Sequence, residues 1–150
     1  MVTPAISEYF AVQVGDKVRL ALPAAQVQAV AQITPQDVCP MPGVPGALVG
    51  VVNRLGQLYW VLDLGEFLGL TGLAAGEYRP FTTVVVGVGN RRLALVVTAL
   101  EGIFTPEHPQ VLPLPQQLQR RYRELLSGLV SWQGKTLAVL RPETLFAQLV

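Results

Sequence analysis

Gly50-Val51-Val52-Asn53-Arg54-Leu55-Gly56-Gln57-Leu58-Tyr59-Trp60-Val61-Leu62-Asp63-Leu64 is the stretch that decides the fold. It reads as strand, tight turn, strand. Val51, Val52 and Leu55 lead into a turn expected at Gly56-Gln57, where glycine takes φ > 0 without a Cβ clash. Residues 58–62 lead out again. Both arms are almost wholly apolar, so alternation is weak, and this predicts strands covered on both faces. Asp63 stands where its carboxylate can cap a short apolar helix over 64–68 by accepting from orphan N–H groups.

The same pattern returns near the C-terminus. Gly128-Leu129-Val130-Ser131-Trp132-Gln133-Gly134-Lys135-Thr136-Leu137-Ala138-Val139-Leu140 matches it without a gap, pairing Gly50 with Gly128, Val52 with Val130, Gly56 with Gly134, Val61 with Val139 and Leu62 with Leu140. Upstream, Val14-Gly15-Asp16-Lys17-Val18-Arg19-Leu20-Ala21-Leu22 resembles Val88-Gly89-Asn90-Arg91-Arg92-Leu93-Ala94-Leu95 with one residue dropped. The chain therefore reads as two related β units in tandem, making one domain over residues 1–150.

Hydrophobic residues make up 51% of the chain and charged ones 14%. The apolar runs are short and broken by Gly and Pro, so no membrane-spanning helix is expected. Glu8 and Asp16 interrupt any apolar leader, and a cytoplasmic location is expected. So apolar a chain predicts surface that is covered by partners. A net charge of +1 gives no sign of nucleic-acid binding. The single cysteine, Cys39, rules out an internal disulfide and is expected to be a small buried residue. The single histidine, His108, sits in a turn-like stretch with no second ligand beside it, so no metal site is expected.

Along the chain, residues 8–14 alternate as a strand, Gly15-Asp16 turns, and 18–22 returns until Pro23. Residues 24–33 fit either helical or strand spacing; a short helical turn at 24–26 followed by a strand is the reading adopted. Residues 34–47 carry Pro35, Pro40, Pro42 and Pro45 and form a stiff extended loop. A Gly- and Ala-containing connector covers 71–80. Strands follow at 81–88, 91–99 and 101–104, then a proline-rich loop at 106–115. Leu118, Tyr122, Leu125 and Leu126 form one apolar stripe and predict a helix over 115–126, with the nearby arginines on its solvated face.

Groups for catalysis are scarce. The ten acidic residues form no paired-carboxylate motif, no serine sits in a nucleophile elbow, and no phosphate loop or zinc spacing occurs. No cofactor is called for, and a binding module is favoured over an enzyme.

The combination of "VQAV" after the second strand, the Gly50-x-x-Asn53-x-x-Gly56…Asp63-Leu64 run behind a Pro-rich loop, residues 84–86 and 95–97, and the closing Gly128…Leu137…Leu140 resembles the CheW-like chemotaxis coupling domain. The resemblance covers residues 8–149. It implies a mainly β fold of two small five-stranded SH3-like β-barrel subdomains packed together, with short helices including one near 115–126. It also implies a non-enzymatic adaptor, which joins the regulatory domain of a histidine kinase through barrel ends and takes a receptor signalling-tip helical hairpin in an apolar groove between the barrels. The same resemblance extends to phototaxis or twitching systems, with no nucleic acid, no membrane insertion and possible self-association.

By position, the resemblance places partner contacts at Val27, Ala29, Gly50, Asn53, Arg54, Leu55, Gly56 and Trp60. This chain departs from the family pattern at several of them. The usual Asn-Leu-Arg-Gly order is here Asn53-Arg54-Leu55-Gly56, and a one-place shift on a strand turns a side chain to the other face unless a bulge intervenes. Ala29 stands where an acidic residue is common, and Trp60, where proline is usual, is either a contact residue or core. Two other classes stay open: a self-associating structural domain, and a small-ligand β-barrel.

Overall fold

The computed structural model describes residues 7–70, 80–108 and 111–149. The strands are β1 (Tyr9–Val14), β2 (Val18–Pro23), β3 (Val27–Ile33), β4 (Val38–Cys39), β5 (Leu48–Arg54), β6 (Gln57–Asp63), β7 (Phe81–Val88), β8 (Arg91–Val97), β9 (Ala99–Phe104), β10 (Leu126–Trp132) and β11 (Lys135–Leu140). Three short helices join them: α1 (Leu64–Phe67), α2 (Arg120–Leu125) and α3 (Pro142–Leu149). The connector expected at 71–80 lies almost wholly outside the described residues.

Two sheets result. Sheet A has the order β10-β11-β2-β1-β9, and sheet B the order β3-β7-β8-β6-β5-β4. Sheet A draws on both ends of the sequence, and sheet B on the stretch between them. The hairpin β1–β2 joins β9, β10 and β11, while β7–β8 joins β3 to β6. Parallel pairs make the junctions, β11 with β2 and β6 with β8. The sixth strand of sheet B is the two-residue β4, which pairs at Val38 and Cys39 with Val52 and Val51.

Three hydrophobic clusters follow from strand alternation. The largest lies between the sheets and takes Val12, Val14, Leu20 and Leu22 from sheet A, with Leu62, Val84, Val86, Leu93, Leu95 and Val97 from sheet B. Within sheet B, Val52, Val61, Val85, Ala94 and Val96 form a second cluster. Within sheet A, Tyr9, Ala11, Ala21, Val130 and Leu137 form a third. Strands β1, β2, β7 and β8 thus bury both faces, odd residues in one core and even residues in another. The β5–β6 hairpin, expected to be covered on both faces, buries only its base in this way, because its far half extends beyond the neighbouring sheet. Leu55 and Leu58 there are 95% and 71% exposed.

The local expectations hold in several places. A 3-10 turn at Ala24–Gln26 precedes β3. Asp63 is buried and caps α1, its Oδ1 accepting from the Glu66 amide at 3.2 Å. Helix α2 is shorter than the stripe predicted. Residues 115–119 are not helical, and Arg123 donates instead to the carbonyls of Pro115 and Leu118 at 2.7 and 3.1 Å. Leu126 leaves the helix to open β10, because its backbone is extended at φ −116°. Cys39 is exposed, not buried, since β4 lies at the sheet edge with its side chains alternating in and out.

Candidate functional site

The expected contact residues gather around β5 and β6. Arg54 pairs with Gln57, so the turn residues are Leu55 and Gly56, one place earlier than the sequence indicated. Both have positive φ, 52° and 81°, the geometry of a two-residue turn that matches strand twist. Asn53 Oδ1 accepts from the Gly56 amide at 3.1 Å and holds the turn shut. Leu55 is the unusual member. A leucine in the left-handed region is strained, and this one is also almost fully exposed.

The faces of the hairpin carry different chemistry. Outward are Asn53, Leu58 and the 38%-exposed Trp60. Trp60 is therefore not core. Inward, toward the interior of sheet B, are Val52, Arg54, Gln57 and Tyr59, by the two-residue strand period. Arg54 is thus the last strand residue and points in, whereas the position at which the family usually has arginine falls on the turn itself, at Leu55. Gln57 Oε1 accepts from the Tyr59 hydroxyl at 2.8 Å and from Arg92 Nη1 at 3.4 Å, and Arg92 Nε donates to Gln28 Oε1 at 2.6 Å. A polar ring of β3, β6 and β8 side chains thereby rims the mouth of sheet B.

Trp60 lies farther along, in an apolar groove of about 510 Å³ formed with Leu48, Leu93, Phe146 and Leu149 and flanked by Arg91 and Arg92. The Arg91 guanidinium sits 5.3 Å from the centre of the Phe146 ring. Gly50 stands apart from the tip. It is buried, and a Cβ built there would collide with the Cys39 carbonyl. Val27 and Ala29 are half-buried on β3, Val27 packing toward the inter-sheet core and Ala29 toward the core of sheet B. Asn53, Arg54, Leu55 and Gly56 are therefore brought together, Trp60 opens onto a separate groove, and Gly50 shapes the strand beneath.

Sequence reasoning missed Leu58, Val30, Ile103 and Leu112 as exposed apolar residues. For Leu58 the signal was available, since it lies opposite Asn53 one pair from the turn, beyond the reach of any neighbouring strand. Among the described residues no group of three His, Cys, Asp or Glu side chains could hold a metal ion, and no helix is long and apolar enough to cross a membrane.

A family model described as the CheW-like domain matches residues 8–150. A Rhizobium meliloti protein named chemotaxis protein CheW is 25% identical over 139 residues, covering 93% of this chain and 86% of that one. A Rhizobium etli protein named probable chemotaxis protein CheW is 24% identical over 108 residues, covering 72% and 68% respectively. The crystal structure of the scaffolding protein TtCheW from Thermoanaerobacter tengcongensis superposes with a TM-score of 0.75 at 16% identity, covering 90% of this chain and 89% of that one.

Proposed function

The chain belongs to the CheW-like domain family, and from that premise we propose that it couples chemoreceptor-type sensors to a chemotaxis histidine kinase in the cytoplasm. It is a non-enzymatic CheW-like adaptor of chemotaxis signalling. One observation carries the coupling to a kinase. The β5–β6 tip presents Leu55 and Leu58 to solvent at 95% and 71% exposure, on a backbone strained at Leu55. Exposed apolar side chains held by a rigid hairpin are what a protein partner buries at the centre of an interface. In this reading the kinase regulatory domain covers the tip, with Asn53, Arg54, Leu55 and Gly56 at the contact. Val27, Ala29 and Gly50 support that surface from within. The receptor's helical hairpin takes the apolar groove at Trp60.

Calorimetric titration against the regulatory domain of the host's chemotaxis kinase tests it. Saturable binding near micromolar, about −8 kcal/mol, is expected, with Leu55→Ser reducing it. No heat at high concentration would remove the kinase from the proposal. A second reading has its own observation. Ile103 on β9 of sheet A is 56% exposed, and Leu112, bridged to Leu129 of β10, is 51% exposed. They are exposed apolar side chains unlike those of the sheet B tip, and head-to-tail self-association needs two such unlike surfaces. Concentration-dependent oligomers without the kinase would favour that reading.

A further inference from the structure

The hairpin β10–β11 and the hairpin β5–β6 stand at equivalent places in their sheets. Trp132 occupies the last pair before the turn in one, and Arg54 in the other. Trp132 closes sheet A from within. Its ring stacks on Phe104 of β9 with centroids 4.9 Å apart, and lies over Gly102 of the same strand. Sheet B is not closed in this way. Between the edges of β3 and β5 a cavity of about 440 Å³ remains, lined by Val30, Gln32, Ile33, Asp37, Val52 and Arg54. Arg54 Nη1 is buried here and has no hydrogen-bond partner among the described residues. A buried guanidinium N–H without an acceptor is destabilising, and a carboxylate is its best complement. Asp37 is the carboxylate at the cavity, and among the described residues it makes no ion pair with Arg54. Arg92, on the same inner face, hydrogen-bonds the neutral amides of Gln28 and Gln57.

The strand that walls this cavity gives an independent observation. β3 ends its sheet and pairs with β7 alone. Its sequence, Val-Gln-Ala-Val-Ala-Gln-Ile, has no charge, no proline and no glycine. Free edges are normally blunted by such residues or covered. Here Val30 is 39% exposed on an edge with none of those protections.

We propose that the slot between β3 and β5 receives an extended segment of a partner protein. The segment adds to the free edge of β3 and sets an Asp or Glu carboxylate on Arg54. Main-chain pairing then supplies affinity, and the buried guanidinium selects the acid. This deepens the reading of the hairpin tip as a docking surface and rests on it. The partner's contribution at this end is a strand.

Fluorescence anisotropy on the whole chain tests it with three blocked six-residue peptides. One alternates valine and threonine around a central glutamate. The second carries glutamine instead, and the third is the glutamate peptide N-methylated at alternate amides. The glutamate peptide should bind about tenfold tighter than its glutamine twin, and N-methylation should abolish binding. Arg54→Gln should erase the preference for glutamate without lowering thermal stability, and Asp37→Asn should raise affinity by removing a like charge. Equal binding of the first two peptides overturns the proposal. So does no binding up to about millimolar concentration, or a glutamate preference that survives Arg54→Gln. If Asp37→Asn lowers thermal stability and leaves affinity unchanged, Asp37 is the acceptor and the proposal also falls. The kinase titration is a separate measurement, so a failure of the strand-addition reading is told apart from a failure of the tip reading beneath it.

Discussion

The two hairpins β5–β6 and β10–β11 share a backbone and differ in almost every exposed side chain. Each starts with a register shift beside a glycine, between Leu48 and Gly50 and between Leu126 and Gly128. At each glycine another segment presses on the strand. A Cβ would strike the Cys39 carbonyl at Gly50, and the Leu112 carbonyl and Val111 side chain at Gly128. Each ends in a two-residue turn of positive φ, Leu55-Gly56 and Gln133-Gly134. Above that common frame, one tip carries Arg54, Leu55 and Leu58, and the other Trp132, Gln133 and Thr136. The glycines that the backbone geometry demands are identical, and the tip positions around them have been given different chemistry. One tip seals its own sheet, and the other faces outward.

The comparison breaks most easily at its shared glycines. Gly50→Val and Gly128→Val should each destabilise by about 3 kcal/mol or more, because backbone would have to move. Thermal unfolding of both variants checks this, and tolerance at one site alone would show that the two frames are not equivalent. Next come the paired residues inside the tips. Trp132→Ala should lose about 2–3 kcal/mol with its ring stack on Phe104. Arg54→Ala should be neutral or slightly stabilising, since it removes an unpaired N–H. Urea titration of the pair tells the plug from the open slot, and equal losses would erase that distinction.

Gly56→Val and Gly134→Val should cost about 1–2 kcal/mol each through strain alone, since nothing lies near either Cβ. A loss as large as at Gly50 would show that the turns are crowded after all. The smallest effect is the most telling. Leu55→Asn and Gln133→Asn should each stabilise by about 0.5 kcal/mol, because asparagine accepts the left-handed region more readily. Only Leu55→Asn should weaken kinase binding. Parallel melting and calorimetry on the two variants measure this. Weakened binding by both would mean that the second tip also meets the kinase.

Much of this was legible because it is local. Hairpin spacing, the Asp63 cap and the turn at residues 24–26 depend on neighbours in sequence, and each stands where the residue pattern placed it. The first turn opens one residue before the position the sequence indicates, because Gly56 is its second residue and not its first. A leucine was not expected in the left-handed region. The direction of Arg54 could not be read, since it depends on whether position 55 belongs to strand or turn. Burial on both faces was assigned to β5 and β6 from their apolar composition. It belongs to β1, β2, β7 and β8, because burial is set by which strands become neighbours, and these pairings join residues as far apart as Ala11 and Gly102. The predicted helix over 115–126 lost its first turn and its last residue for a similar reason. Arg123 ties the preceding carbonyls, and Leu126 is claimed by a strand.

The exchange of hairpins between the sheets bears on how the chain is made. β1 and β2 emerge before β3 to β8, yet β9, β10 and β11, the neighbours that complete their sheet, emerge after them. β3 to β6 likewise wait for β7 and β8. A growing chain therefore holds the β1–β2 hairpin without its sheet partners until β3 to β8 have also been synthesised. Folding dominated by such distant pairings falls in the millisecond-to-second range, far slower than a helical bundle of the same size. A chain severed between α1 and β7 would yield two fragments that each lack strands of both sheets. Neither could fold by itself, and mixing them should restore what neither contains.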